Sequence, residues 1–128
     1  MVVFIIDNSK MIVDRLIELI SETQKDITFY QAVTNEESVA LLVNYKPDAV
    51  IIDCKFCDAD TRSLLEKVKK ANKDTVTIVL SHFMDEHTVE ICRRLDVDFL
   101  FDKYNDFTKI PAIIQQLTAA NKKVLVTI

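Results

Sequence analysis

Short apolar runs rich in β-branched and aromatic residues recur along the chain, and segments with helical spacing separate them. The runs are residues 2–6, 27–33, 49–53, 75–81 and 99–101. Because these runs are apolar on both faces, they predict a parallel sheet covered by helices on both sides, joined by right-handed crossovers. The predicted fold class is therefore α/β, a doubly wound five-stranded sheet with five helices.

Polar residues mark where the first three helices should begin. Ser9 precedes an amphipathic segment, and Thr34 and Glu37 have the spacing of a capping box before the second helix. Asp60 is the expected cap of the third helix.

The fourth helix is expected over residues 83–94, with Val89, Cys92 and Leu95 on its apolar face. The tail, residues 121–128, alternates β-forming residues after two lysines and predicts a further strand. This strand would add to a sheet edge, pair with a second copy in a homodimer, or begin another domain.

Composition narrows the function classes. A chain of 128 residues predicts one main domain, and the absence of glycine excludes the glycine-rich loops that cradle nucleotide phosphates. A net charge of −4 without a basic stripe predicts no nucleic-acid partner. The short apolar runs predict no membrane span, and the start lacks a basic leader, so we expect a cytoplasmic protein.

Polar residues with useful chemistry end four of the five predicted strands. Asp7 and Asn8 follow the first strand, Asp53 ends the third, Ser81 ends the fourth, and Lys103 follows the fifth. If the first and third strands are neighbours, the side-chain oxygens of Asp7, Asn8 and Asp53 converge, and such a group of oxygens suits Mg²⁺. A lysine and a hydroxyl suit a phosphoryl oxygen. A single polar residue here can simply mark where a strand leaves the core, but all of them together favour a site.

The cysteines offer a competing chemistry. Cys54 and Cys57 form a C-x-x-C pair, but Cys54 directly follows a carboxylate, which disfavours the thiolate that redox chemistry needs. A zinc site built with Cys92 lacks a second pair at the usual spacing, and Cys92 is more simply a core residue. Three cysteines without an export signal also favour a reducing compartment.

Four segments together resemble the receiver domains of bacterial two-component response regulators, the CheY-like family. They are "FIIDNS", "DAVIID", "IVLS" and "FLFDKYNDFTKIP", and they occur in the family's order and spacing. The resemblance covers about residues 2–120. It implies a flavodoxin-like strand order of 2-1-3-4-5, a receiver domain over residues 1–120, and a separate strand-like tail over residues 121–128.

The resemblance also implies a role for each residue at the strand ends. The aspartate that takes a phosphoryl group from a sensor histidine kinase or phosphotransfer protein would be Asp53. The other matches are Asp7 and Asn8 for the acidic pair, Ser81 for the hydroxyl, Lys103 for the lysine, and the backbone carbonyl of Lys55 for a third ligand of Mg²⁺. Such a domain is a switch that promotes its own modification, not a turnover enzyme, and it would signal to a protein partner through residues 82–120.

Four positions depart from the family. Asn8 stands where a carboxylate is usual and should weaken Mg²⁺ binding, and Cys57 replaces a common proline. His82 occupies a place that is usually small and open to the phosphoryl group, and Leu100 occupies one that is usually aromatic. Two alternatives therefore stay open: a degenerate receiver that binds partners without phosphorylation, and a thiol sensor that uses Cys54 and Cys57.

Overall fold

Five parallel strands form one sheet in a computed structural model that describes residues 1–54 and 58–127, with side chains described up to residue 118. The strands are β1 Val2–Ile6, β2 Thr28–Ala32, β3 Ala49–Cys54, β4 Val76–Ser81 and β5 Phe99–Asp102. Their order across the sheet is β2-β1-β3-β4-β5, and each neighbouring pair is parallel. The doubly wound α/β prediction, including its strand order, is confirmed.

Helices cover both faces of the sheet and create two cores. They are α1 Lys10–Ser21, α2 Asn35–Asn44, α3 Ala59–Ala71, α4 Glu86–Arg94 and α5 Ile110–Thr127, the last preceded by a 3₁₀ turn at Phe107–Lys109. Buried side chains of α1 and α5 pack on one face, and those of α3 and α4 pack on the other with two partly buried leucines of α2. Successive strand residues enter the two cores alternately, as the side-chain period of two requires.

Side-chain caps begin α1 and α2 where the sequence predicts them. Ser9 Oγ accepts a hydrogen bond from the backbone N–H of Ile12 at 3.4 Å, and Thr34 Oγ1 accepts one from Glu37 at 3.1 Å. The Glu37 carboxylate in turn accepts from the N–H of Val33 at 3.2 Å. The predicted starts of both helices are therefore confirmed.

The predicted cap of α3 is wrong by two residues. Asp58 has the extended backbone that a cap requires, and its Oδ1 accepts from the N–H of Thr61 at 2.9 Å. Asp60 instead lies in the first turn, where a negative charge interacts favourably with the helix dipole.

Helix α4 is shorter than predicted, because Asp85 caps it and its first residue is Glu86. Its buried side chains are Thr88, Ile91 and Cys92, so the core role of Cys92 is confirmed. Val89 was predicted to be apolar core but is 45% exposed, because the buried stripe runs along a different side of this helix.

The strand predicted for residues 121–128 is wrong over residues 121–127, which continue α5. Extending an existing helix needs no new nucleation, and residues 112–127 contain neither glycine nor proline. The local β propensity of Val124 and Val126 is therefore overridden. None of the helices that the structure describes is both long and apolar enough to cross a membrane.

Replacing Ile114 by alanine tests whether α5 is integral to the first core. Ile114 is fully buried there, so we expect the free energy of unfolding to fall by roughly 2–5 kcal/mol. The neighbouring Gln115 is exposed, and Gln115→Ala should change it by less than about 0.5 kcal/mol. Equal small effects of both variants in urea titrations would contradict the packing described here.

Candidate functional site

Strand geometry directs a set of polar side chains to one place at the carboxyl edge of the sheet. Ile5, Ile51 and Phe101 belong to the core beneath α1 and α5, and Asp7, Asp53 and Lys103 each come two residues later. The ladder continues far enough for this alternation to hold, since Asp7 N–H donates to Ala32 and Lys103 N–H to Ser81. Both carboxylates and the lysine therefore emerge on the same side of the sheet.

Lys103 joins the two carboxylates. Its Nζ donates to Asp7 Oδ2 at 3.0 Å and to Asp53 Oδ1 at 2.7 Å. Asp7 and Lys103 are only 3% and 6% exposed, whereas the Asp53 side chain is 18% exposed. The structure therefore brings Asp7, Asp53 and Lys103 together, with Asp53 as the more accessible carboxylate.

The charge of Lys103 is well stabilised in this setting. Burial would lower the pKa of the ammonium, but hydrogen bonds and charge interactions with Asp53 and Asp7 outweigh burial and hold the pKa above its ordinary value. Lys103 is therefore a fixed positive charge beside Asp53 at neutral pH.

The two carboxylates differ in how fully their oxygens are used. Asp7 Oδ1 accepts from the N–H of Ser9 at 2.8 Å, so both of its oxygens have partners. On Asp53, Oδ1 contacts Lys103 and His82, whereas Oδ2 has no hydrogen-bond partner among the described residues. Asp53 Oδ2 is thus the one oxygen of these two carboxylates that accepts no hydrogen bond from the described residues.

His82 is a site residue that sequence reasoning missed as a contact. Its Nε2 lies 3.0 Å from Asp53 Oδ1, and its Nδ1 lies 3.1 Å from the hydroxyl of Tyr104. The resemblance put His82 at a position that is usually small and open to the phosphoryl group, and the sequence otherwise indicated only a histidine at a loop end; neither predicted a contact with Asp53. The missed signal is that His82 lies two residues after Leu80, whose side chain enters the same core as Ile51.

Ser81 directly precedes His82, but the hydrogen bonds of its side chain go to Phe83 and not to Asp53. It pairs with Cys54 in the ladder, and Cys54 and Val79 belong to the opposite core. Ser81 Oγ donates to the carbonyl of Phe83 at 2.5 Å and accepts from the Phe83 N–H at 3.1 Å. Leu100 also packs against the opposite core.

A cleft of about 230 Å³ opens beside the carboxylates, between β1, β3 and the starts of α2 and α3. Its polar lining includes Asp7, Asn8, Asn35 and Asp53. Among the described side chains, Asn35 Oδ1 is the buried polar atom without a hydrogen-bond partner. Two carboxylates and two amides are oxygen donors of the kind that Mg²⁺ accepts alongside waters, so these residues fit the ion.

Only two of these four possible ligands, Asp7 and Asp53, carry a negative charge. Among the side chains that the structure describes, no three acidic, histidine or cysteine residues are grouped to hold a metal. Lys55 and Cys57 lie outside the described residues, so the predicted carbonyl ligand and the C-x-x-C pair do too. Cys54 itself is buried in the opposite core from Asp53.

Comparisons with known proteins identify the fold. Neither protein-family models nor curated proteins gave a match to this chain. Solved structures do match over nearly its whole length. One is the signal receiver domain of a DNA-binding response regulator from Colwellia psychrerythraea, with 22% identity, a TM-score of 0.81, and coverage of 92% of this chain and 98% of that chain.

Two further structures agree. A CheY-like receiver domain protein from Methanospirillum hungatei has 19% identity and a TM-score of 0.77, covering 95% of this chain and 97% of that one. The Mn²⁺-bound form of the response regulator Rcp1 has 20% identity and a TM-score of 0.71, covering 89% and 91%. At these identities the likeness shows the fold, and the fold is that of a CheY-like receiver domain.

Replacing Lys103 by methionine tests its structural role. The change leaves two adjacent carboxylates without their shared cation. Removing one partner of a buried ion pair lowers the free energy of unfolding by roughly 3–5 kcal/mol. Because Asp53 is partly exposed, we expect a loss at the lower end of that range. The exposed Lys67→Met is the control and should lose less than about 0.5 kcal/mol in the same urea titration.

The stability difference between the parent and Lys103→Met should also depend on pH. A raised folded-state pKa stabilises the fold fully below the ordinary lysine value of 10.5, and this contribution is lost as pH rises through the raised value. The difference should therefore be constant near neutral pH and shrink above pH 10.5. A difference that shrinks between pH 6 and 8 would contradict the assignment to Lys103.

Proposed function

We propose that this chain is a phosphorylation-dependent receiver that accepts a phosphoryl group on Asp53. The observation that carries the proposal is the asymmetry of the Asp53 carboxylate. One oxygen contacts the buried Lys103, and the other has no partner among the described residues and belongs to a side chain that lines the open cleft. A nucleophile that is held on one side and open on the other suits transfer from a bound donor.

The transfer balances without a further reactant. Asp53 Oδ2 donates an electron pair to phosphorus, forming an O–P bond, while the bond from phosphorus to its donor oxygen or nitrogen breaks. The leaving group departs with the electron pair of the bond that breaks. Lys103 is close enough to stabilise the negative charge that develops on the transferring group, and its charge is already in place.

Asp7, Asn8 and Asp53 would hold Mg²⁺ in the cleft, as would the carbonyl of Lys55 if the resemblance holds there. The ion would supply positive charge against the phosphoryl oxygens. The Mn²⁺-bound form of Rcp1, a protein of the same fold, supports a divalent ion here. The missing carboxylate at Asn8 and the competing charge of Lys103 both argue that binding is weak.

A phosphorylation-dependent receiver requires proteins as its partners. A sensor histidine kinase or a phosphotransfer protein would supply the phosphoryl group, and a downstream protein would bind through residues 82–120. Exposed apolar side chains in that region support a protein partner: Phe83, Met84, Val89 and Tyr104. The exposed apolar area and the net charge of −4 both favour a protein over nucleic acid.

A degenerate receiver is the second candidate, and one contact favours it. His82 and Lys103 already occupy one oxygen of Asp53, so the resting carboxylate has two positively polarised partners. Two donors withdraw electron density from the Asp53 carboxylate, so it is less nucleophilic than a carboxylate with one donor. A protein held in one state would then bind partners without modification.

Asp53→Asn tests the proposed function. After incubation with acetyl phosphate and Mg²⁺, the parent should gain the mass of one phosphoryl group, and Asp53→Asn should gain none, because an amide oxygen is a poor nucleophile. Asp74→Asn is the matched control, because Asp74 is exposed and lies outside the cleft, and it should still be modified. An adduct that survives in Asp53→Asn sinks the assignment, and no adduct in the parent favours the degenerate receiver.

Asn8→Asp tests the metal. An added carboxylate should tighten Mg²⁺ binding on the order of tenfold, since ~1.4 kcal/mol of extra attraction corresponds to that factor. Asn44→Asp adds the same charge outside the cleft and should leave the affinity unchanged. Calorimetric titration measures both. Equal affinities of the parent and Asn8→Asp would rule out a metal held next to Asn8.

A further inference from the structure

The position of His82 follows from the ladder and not from a flexible loop. Its backbone N–H donates to the carbonyl of Cys54 at 3.3 Å, which extends the pairing of β4 with β3 by one residue. The side chain therefore has the same orientation as that of Leu80, the residue paired with Asp53 in the ladder, and it lies on the side of the sheet where the Asp53 carboxylate emerges. The sheet itself holds the imidazole within hydrogen-bonding distance of the acceptor.

The hydrogen on Nε2 faces Asp53. At 3.0 Å from a carboxylate oxygen, an unprotonated Nε2 would set two acceptors against each other, so we assign the proton to Nε2. In the neutral ring, Nδ1 then accepts from the Tyr104 hydroxyl, and in the charged ring Nδ1–H donates to it. A donor faces Asp53 in both forms.

Tyr104 holds the other side of the imidazole. Its ring meets that of His82 edge-on, with centroids 5.6 Å apart. The turn that carries Tyr104 is fixed, because Asp102 Oδ1 accepts from the N–H groups of Tyr104 and Asn105. Tyr104 is nevertheless 70% exposed, so one edge of this residue contacts the site and the rest forms part of the protein surface.

To donate to a phosphoryl group on Asp53, the Ser81 hydroxyl would have to give up the hydrogen bond that it donates to the Phe83 carbonyl, and it starts from the opposite face of the sheet. His82 needs no such change. Its Nε2 and Lys103 Nζ contact the same oxygen of Asp53 and lie 3.5 Å apart. A phosphoryl group on Asp53 adds three strongly accepting oxygens next to these two donors.

We propose that His82 contacts the phosphoryl group on Asp53 in place of the Ser81 hydroxyl, and that Tyr104 is a positioning residue that transmits the change to the surface. This inference rests on the proposed function. When the group arrives, Nε2–H exchanges a carboxylate oxygen for a phosphoryl oxygen, and the imidazole shifts. Because Tyr104 contacts Nδ1, it shifts too, and the exposed surface beside β5 changes.

The chain provides a spectroscopic reporter for this movement. It has no tryptophan and three tyrosines, and the other two, Tyr30 and Tyr45, stack on each other with centroids 4.2 Å apart. In the Tyr30→Phe/Tyr45→Phe background, Tyr104 is the only tyrosine. Its fluorescence then reports on the contact with His82.

The experiment compares Ser81→Ala with His82→Ala in this background. Each protein is loaded with Mg²⁺ and beryllofluoride, a stable mimic of the phosphoryl group, and loading is measured separately by fluorine NMR. We expect the background protein and Ser81→Ala to show the same fluorescence change and the same change in amide exchange over residues 99–106. His82→Ala should load but lose most of both changes.

Two further variants separate contact from general structure. His82→Gln keeps an N–H donor at the end of the side chain and should restore part of the amide-exchange response. Tyr104→Phe, made in the parent, keeps the ring but loses the hydroxyl and should reduce the amide-exchange change without reducing loading. A merely structural role for either residue would not give this pattern.

The outcomes separate the two proposals. If the parent accepts neither a phosphoryl group nor beryllofluoride, the proposed function fails and this inference fails with it. If the parent loads, but Ser81→Ala abolishes the response while His82→Ala keeps it, only this inference is overturned. A response retained in both single variants also overturns it.

Discussion

The site depends on one interaction, the placement of the Lys103 ammonium between two carboxylates at the edge of a buried sheet. Asp7 and Lys103 are almost fully buried, and their charges are tolerated because each has an opposite charge within 3.0 Å. The strands that carry them come from the start, the middle and the end of the domain, so the ion pairs require the completed sheet. The same arrangement leaves Asp53 oriented, partly exposed and next to a fixed positive charge, which are the properties that the proposed function requires of it.

Much of this was readable from the sequence, for a physical reason. Apolar runs of strand length fixed the sheet, and the polar residue after each run marked the carboxyl edge, so Asp7, Asp53 and Lys103 were predicted together. Alternation along β4 distinguishes Ser81 from its neighbour, but reading it requires knowing that the ladder extends to His82. The contact between His82 and Tyr104 joins residues 22 apart in sequence, at the ends of two neighbouring strands, so no local pattern specifies it. The tail was missed because continuation of a helix outweighed local β propensity.

Two of the four departures from the receiver pattern, at Asn8 and His82, act in the same direction. Asn8 removes one negative charge from the cleft, and His82 adds a hydrogen-bond donor to the acceptor. Both changes shift the electrostatic balance around Asp53 away from a dication and toward the protein's own donors. Under the proposals above, Lys103 and His82, which directly follow β5 and β4, would share the contacts to a phosphoryl group with the metal. The residues that follow β4 and β5 would then respond directly to phosphorylation.

Phosphorus NMR of the protein with acetyl phosphate and Mg²⁺ tests the central claim most directly, because it identifies the atom to which phosphorus is bonded. The account predicts one protein-bound resonance in the acyl phosphate range, absent in Asp53→Asn and lost when Mg²⁺ is chelated before the donor is added. A resonance typical of phosphorus on a histidine nitrogen would contradict Asp53 as the acceptor. No protein-bound phosphorus at saturating donor would contradict phosphorylation itself.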